Sequence, residues 1–212
     1  AFLHALWNFI LRGSEDKFLS MTAVVLGHIP FALIGILVFG FPDSNALSYI
    51  LASALLHFFY QIFLLNAYKF GELSEIYPIA RGLSPLIIIS ISFSFFEENV
   101  SFYEVVGILL ISLSLIIYGL KQFLNNDTNI KGFSLALITG CFIASYSIVD
   151  GYGARITQNP IGFYSSMTLI NGLIFYFFAK WKDREIIKQI FFSGKLSFFV
   201  GGVASYLSLI HI

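Results

Sequence analysis

Long apolar runs constrain the fold of this chain more than any other feature. A helix needs about 20 apolar residues to cross the ~30 Å hydrocarbon layer of a bilayer, and most of these runs approach that length. Charged residues concentrate between the runs, so the sequence predicts an all-α, polytopic transmembrane helix bundle. The clearest runs are Phe18–Gly40, Ala46–Ala67, Tyr77–Phe96, Phe102–Leu120, Phe133–Val149, Ile161–Ala179 and Leu196–Ile212.

The composition agrees with a membrane protein. Charged residues make up 11% of the chain, whereas soluble domains contain roughly 25%. The formal net charge is zero, which gives no indication of a nucleic-acid partner. The single cysteine, Cys141, lies inside an apolar run, and we predict a buried, inert thiol.

The two ends of the chain and its breaks indicate about eight helices. The run Ala1–Leu11 is half a span, and the last run stops at Ile212 without a polar tail. We therefore expect a truncated first helix and a truncated eighth helix in an incomplete chain. Residues Trp181–Phe192 carry apolar residues at helical spacing and predict a short amphipathic helix on the membrane surface.

Several local signals mark where helices begin. Ser101 and Glu104 have the spacing of a capping box at the start of the fifth helix. Asn159 followed by Pro160 predicts the start of the seventh helix. Pro78 fits the first turn of the fourth helix, while Pro85 would lie inside that helix and kink it.

The basic residues of the loops predict the orientation of the helices. If Ala1 faces outside, the loops between helices 1–2, 3–4, 5–6 and 7–8 are cytoplasmic under the positive-inside rule. Only Arg155 then falls in an outside loop. We expect the protein to span the inner (plasma) membrane. The inside loops hold Arg12, Lys17, Lys69, Lys121, Lys131, Lys180, Lys182, Arg184, Lys188 and Lys195.

A faint internal repeat relates the first and sixth predicted helices. The segment 5–8 (Ala-Leu-Trp-Asn) aligns with the segment 144–147 (Ala-Ser-Tyr-Ser). The second copy lies five helices after the first, and an odd offset inverts it in the membrane. Inverted repeats are typical of secondary transporters, whose substrate site lies near the bilayer midplane.

Polar residues inside the spans are the candidates for function. Arg81 lies about one turn inside the fourth helix, where arginine is costly. It is either a headgroup anchor that snorkels to water or a fixed charge facing a wet cavity. His57 and Gln61 share a face of the third helix with Tyr60 nearby. His57 either bonds a neighbouring helix or lines a cavity.

Carboxylates and catalytic motifs are missing from the middle of the predicted spans. All twelve acidic residues fall in loops or near predicted helix ends, and Asp150 is expected to close the sixth helix rather than to be a buried acid. If transport is coupled to protons, a histidine or Asp150 must serve. No motif of a metal site, a nucleophile elbow or a phosphate loop is present, so the sequence predicts neither catalysis nor a cofactor.

Three segments resemble the EamA-like family of the drug/metabolite transporter superfamily. They are residues 4–8 (His-Ala-Leu-Trp-Asn), 71–82 (Gly-Glu-Leu-Ser-Glu-Ile-Tyr-Pro-Ile-Ala-Arg-Gly) and 145–155 (Ser-Tyr-Ser-Ile-Val-Asp-Gly-Tyr-Gly-Ala-Arg). The resemblance implies ten helices in two inverted five-helix repeats. Residues 1–122 would form the first repeat and residues 132–212 an incomplete second repeat. It also implies a central cavity between the repeats.

We therefore expect a secondary transporter that moves a small metabolite, anionic or amino-acid-like, by alternating access. Its expected partners are this small-molecule substrate and the lipid bilayer. Two other classes stay open: an integral membrane enzyme, and a non-transporting membrane partner or assembly subunit. The expected substrate-binding residues are Trp7, Asn8, His57, Tyr60, Gln61, Tyr77, Arg81, Ser84 and Tyr146.

Overall fold

A computed structural model of the chain describes residues 14, 16–96, 101–125 and 129–210. These residues form helices and short connections without a strand, which confirms the all-α class. A 3-10 turn (Ser44–Ala46) precedes α3, and π-helical turns follow α4 (Ser92–Phe96) and precede α9 (Ser197–Gly201). The helices are α1 (Lys17–Gly27), α2 (Ile29–Phe39), α3 (Leu47–Ala67), α4 (Leu73–Ile91), α5 (Phe102–Asn125), α6 (Ile130–Thr157), α7 (Pro160–Lys182), α8 (Ile186–Ser193) and α9 (Gly202–Ile210).

The described part of the chain contains six segments that are long and apolar enough to cross a membrane. They correspond to the second to seventh predicted helices. A seventh candidate is a bent pair, in which α8 meets the segment Ser197–Leu207 at 96°. The first predicted helix lies outside the described residues. The six spans are Lys17–Phe39, Ser44–Ala67, Leu73–Ser94, Phe102–Asn125, Ile130–Thr157 and Pro160–Lys182.

The predicted capping signals at α5 and α7 are confirmed. The Ser101 amide donates to Glu104 Oε2 at 2.7 Å, and the Glu104 amide donates to Ser101 Oγ at 3.3 Å. The Gly162 amide donates to the side chain of Asn159 at 3.0 Å, with Pro160 as the first helical residue. These side chains supply partners for backbone amides that the first helical turn leaves unsatisfied.

The predicted start of α4 is wrong by about one turn. The helix begins at Leu73, because Glu72 and Glu75 form a reciprocal capping box ahead of the apolar run. Pro78 therefore lies inside the helix together with Pro85, rather than in its first turn. The apolar stretch alone did not reveal a helical turn that carries two glutamates.

The segment after α7 contains a short helix, α8, which begins at Ile186 and not at the predicted Trp181. Ile186 and Ile190 of α8 are buried, whereas Phe191 and Phe192 are exposed. Trp181, at the end of α7, is 83% exposed. An exposed indole at the end of a span is typical of the membrane–water interface.

The described helices form two compact units, whose boundaries fall inside α3 and α6. The first unit comprises residues 1–58 and 149–212. Within it, α2 packs against α7, and the Asn159 side chain donates to the Phe39 carbonyl at 2.9 Å. Gly27 of α1 meets Gly202 backbone to backbone, with no room for a Cβ on either residue. Small residues thus allow these helices to approach closely.

The second unit comprises residues 59–148, and its main contact joins α4 to α5. The buried residues of α5 are Ser112 and Gly119, while most of its surface is apolar and exposed. Gly82 of α4 lies against the Ser112 carbonyl, and Gly119 lies against the Glu75 carbonyl. A helix with this distribution of exposed apolar side chains suits contact with lipid.

Cys141 contradicts the sequence-based expectation of a buried thiol. The residue is exposed on α6. An apolar run in a membrane protein predicts contact with lipid as well as burial in protein, and hydrophobicity alone does not separate the two faces.

We predict that Gly119→Val lowers the stability of the protein by about 1–3 kcal/mol, because the added methyl groups would press on the α4 backbone. The control is Gly107→Val on the same helix, where a Cβ has nothing within 4 Å. Thermal unfolding of the detergent-solubilised variants measures the difference. Equal unfolding temperatures for the two variants would contradict the described packing of α4 on α5.

Candidate functional site

Asp150 is a buried acid inside a membrane-length helix, and the expectation that it closes the sixth helix is wrong. Helix α6 continues for about two turns beyond it, to Thr157. The Asp150 side chain is 6% exposed. The statement that all acidic residues avoid the interior of the spans therefore fails at this position.

The sequence around Asp150 explains the error. Gly151 and Gly153 look like residues that end a helix, but both are helical. Gly153 instead allows close packing, because a Cβ there would collide with the ring of Phe163 on α7. The helix ends at Thr157, and the next residue, Gln158, has a positive φ of 50°.

The Asp150 carboxylate holds two side chains of α3. His57 Nε2 lies 3.0 Å from Asp150 Oδ2, and the Ser53 hydroxyl donates to Asp150 Oδ1. Both carboxylate oxygens therefore have a partner. All three residues are buried, with Ser53 fully inaccessible. We name Ser53, His57 and Asp150 the His–Asp cluster.

The contacts in the His–Asp cluster offset part of the cost of removing the Asp150 side chain from water. An aspartate at the centre of a membrane helix costs about 2.5–3.5 kcal/mol on insertion scales. A buried carboxylate is retained when it is paired and hydrogen-bonded. The imidazole and the hydroxyl each contact one carboxylate oxygen at hydrogen-bond distance, so the cluster joins α3 to α6 within the first unit.

An apolar layer lies between the His–Asp cluster and the ends of these helices at Ser44 and Thr157. Ile50 and Ala54 of α3, and Ala46 of the 3-10 turn before it, pack with Ala154 of α6 in this layer. The α7 residues of the same layer are Phe163, Tyr164 and Met167. Next to it, Asn171 of α7 donates to the Ala54 carbonyl at 3.2 Å. The layer shields the buried carboxylate from that end of the bundle.

A second polar group, in the second unit, surrounds Arg81. The guanidinium carbon lies 5.5 Å from the centre of the Tyr77 ring, and the Tyr77 side chain is hydrogen-bonded to Arg81. Tyr60 and Tyr146 also interact electrostatically with Arg81. Their rings meet edge to face at a centroid distance of 5.5 Å. We name these four residues the arginine–tyrosine cluster.

The structure brings together some of the sequence-predicted site residues and not others. Tyr60, Tyr77, Arg81 and Tyr146 meet in one cluster, whereas His57 belongs to the His–Asp cluster. Gln61 is buried. Ser84 is buried and makes a long hydrogen bond of 3.5 Å to the Arg81 carbonyl. Trp7 and Asn8 lie outside the described residues.

Sequence reasoning assigned Asp150 to a helix end and did not single out Ser53. One signal for Ser53 was available, because Ser53 and His57 are four residues apart and share a face of α3. Polar residues on one face of an apolar helix indicate a polar partner on a neighbouring helix. The identity of that partner requires the tertiary structure.

Comparisons with protein-family models, curated proteins and solved structures gave no match to this chain. The case for function therefore depends on the residues and their geometry.

We predict that His57→Leu and Asp150→Leu destabilise the protein non-additively, with a coupling of about 1–3 kcal/mol, because each side chain stabilises the other in a buried setting. Unfolding of the two single variants and the double variant in detergent measures this coupling. The control cycle pairs His57→Leu with Ser145→Ala, at an exposed position on the same helix as Asp150. Additive effects at positions 57 and 150 would show that the pair does not interact.

Proposed function

We propose that this chain is a secondary transporter of the EamA-like kind, located in the cytoplasmic membrane. It moves a small metabolite with an anionic or amino-acid-like group by alternating access. The proposed architecture is of the inverted-repeat type, with residues 1–122 contributing to the first repeat and residues 132–212 contributing about three helices to the second. The observation that carries the proposal is the arginine–tyrosine cluster inside membrane-length helices.

The chemistry of this cluster favours an anionic ligand. A guanidinium is always charged and presents several donors in a plane, which matches a carboxylate or phosphate group. The phenols of Tyr60, Tyr77 and Tyr146 add neutral hydrogen-bonding groups and flat apolar rings. An ionisable residue inside a membrane span is costly and marks a functional pathway more often than a structural contact.

The grouping of lysines supports the predicted orientation within each unit. In the first unit, Lys182 Nζ lies 3.8 Å from the centre of the Phe18 ring, so the start of α1 and the end of α7 share one end. In the second unit, Lys131 Nζ lies 5.9 Å from the Phe70 ring, at the end of α3. Each lysine-rich end is proposed to face the cytoplasm under the positive-inside rule.

A non-transporting membrane partner or assembly subunit is the second candidate function. The observation that favours it is that some buried polar groups of the first unit form hydrogen bonds with one another. Ser20 Oγ lies 2.7 Å from Ser197 Oγ, and Ser165 Oγ lies 2.9 Å from the Tyr206 hydroxyl. If the second unit were sealed in the same way, water would not reach the arginine–tyrosine cluster.

Accessibility of an introduced cysteine separates the two candidates. In a Cys141→Ser background, Ser84→Cys places a thiol one turn from Arg81. A transporter should allow a charged, membrane-impermeant thiosulfonate to modify this thiol, because the reagent reaches a cavity through water. Leu110→Cys, at a position on α5 that is 63% exposed, should face lipid and stay unmodified. A protected thiol at position 84 would favour the sealed bundle.

We predict that Arg81→Gln weakens the apparent affinity for an anionic metabolite about tenfold to a hundredfold, because a hydrogen bond to a charged group contributes about 1.5–3 kcal/mol. Uptake of radiolabelled glutamate, malate and glucose 6-phosphate into proteoliposomes provides the measurement. Arg155→Gln is the control, since Arg155 is exposed in the last turn of α6. Wild-type uptake with an unchanged affinity in Arg81→Gln would remove Arg81 from the site.

A further inference from the structure

We propose that His57 and Asp150 form a proton-binding site that couples transport to the movement of protons. The coupling rests on the proposed function, whereas the binding of a proton by this pair does not depend on it. The sequence of the chain left the coupling ion open.

The geometry provides a single shared position for a proton. His57 Nε2 and Asp150 Oδ2 are 3.0 Å apart, a distance at which a proton on either atom makes a hydrogen bond to the other. The Ser53 hydroxyl donates to the second carboxylate oxygen. Ser53 thereby fixes the orientation of the carboxylate, so that Oδ2 points at the imidazole.

The charge of the pair depends on one proton. With that proton bound, the pair is neutral overall, whether the proton resides on the carboxylate or forms an imidazolium beside a carboxylate. Release of the proton leaves a neutral imidazole and one negative charge. A negative charge in a membrane span is costly, so proton release should be linked to a rearrangement that admits water.

The donor set favours a proton over a hard metal cation. Hard cations such as Ca²⁺ and Mg²⁺ take oxygen ligands, whereas the group that faces Asp150 Oδ2 is an imidazole nitrogen. Histidine is the side chain whose charge changes between about pH 5 and pH 8. The described residues contain no group of three or more His, Cys, Asp or Glu side chains that could hold a metal ion.

Two further titratable groups face the pair from neighbouring elements. His28, at the break between α1 and α2, interacts electrostatically with His57. Tyr164 of α7 interacts electrostatically with Asp150. A second positive charge at His28 would oppose an imidazolium at His57, so His28 belongs among the controls.

The surroundings of the pair suit a site that is exposed to solvent in only one conformation. The apolar layer formed by Ile50, Ala154, Phe163 and their neighbours separates the pair from one end of the helices. His57 and Asp150 are 6% and 5% exposed in this conformation. A change that opens the layer would admit water to the pair, as alternating access requires.

Proton counting without any substrate tests the site. Purified protein in nanodiscs, in weakly buffered solution, is titrated from about pH 8 to about pH 5, and the protons taken up are counted with a soluble dye. The double variant His57→Gln/Asp150→Asn should take up about one proton fewer per chain than the wild type. The effects of the two single variants should not add. Identical curves for the wild type and the double variant, or strictly additive effects, would overturn the proposal.

Control variants identify the proton with this pair. Asp43→Asn makes the same change at an exposed carboxylate and should leave the uptake in this interval unchanged. In a His28→Gln background, Asp150→Asn should still lower the proton uptake by the same amount as it does in the wild type. If His28→Gln abolishes that difference, the proton belongs to His28 and the assignment to His57 and Asp150 fails.

Proteoliposomes test the coupling separately. The readout is the ratio of accumulation in a pH gradient to exchange at equal pH, with glutamate, malate and glucose 6-phosphate as probes. Asp150→Asn should lower this ratio at least tenfold, whereas Asp43→Asn should not. Accumulation driven by sodium instead of pH, or an unchanged ratio in Asp150→Asn, would overturn the coupling. If the wild-type protein takes up none of the probes, the proposed transport function fails. The proton-binding site is still tested by the proton count.

Discussion

The cost of a polar side chain inside an apolar span governs what this chain can fold into. Backbone groups are satisfied within each helix, but a side chain such as Asp150 needs a partner from another helix. His57 and Ser53 supply that partner from α3 and bind both carboxylate oxygens. The first unit therefore has a fixed point of contact between α3 and α6, and Gly153 lets α7 pack closely beside it.

Small residues and polar pairs hold these helices together, as hydrophobic burial does in soluble proteins. In the second unit, Gly82, Ser112 and Gly119 allow α4 and α5 to touch, while the remaining surface of α5 stays apolar and exposed. Because lipid tails are as apolar as leucine side chains, no hydrophobic force drives helices together in the membrane. Helix association therefore depends on close packing and hydrogen bonds. The arginine–tyrosine cluster gathers a charged side chain and three phenols between helices of the same unit, where an anionic ligand would find both charge and flat apolar surface.

Much of the fold could be predicted from the sequence, because hydrophobic length and capping residues are local signals. The six described spans and the caps at Ser101 and Asn159 are examples. The misjudged positions depend on tertiary structure. Asp150 was assigned to a helix end because of two glycines that serve packing instead, and Cys141 was expected to be buried although it is exposed. The arginine–tyrosine cluster combines residues that the sequence had marked, whereas the partner of His57 emerged only when α3 and α6 were seen together.

The central claim is that His57 and Asp150, on two neighbouring membrane spans, are hydrogen-bonded to each other. Nitrogen NMR of ¹⁵N-histidine-labelled protein in nanodiscs tests it most directly. The chain has four histidines, and His57→Gln identifies the signal of His57. We predict that Asp150→Asn shifts the Nε2 resonance of His57 strongly, while Asp43→Asn leaves it in place. An Nε2 resonance that is the same in the wild type and in Asp150→Asn would contradict the account.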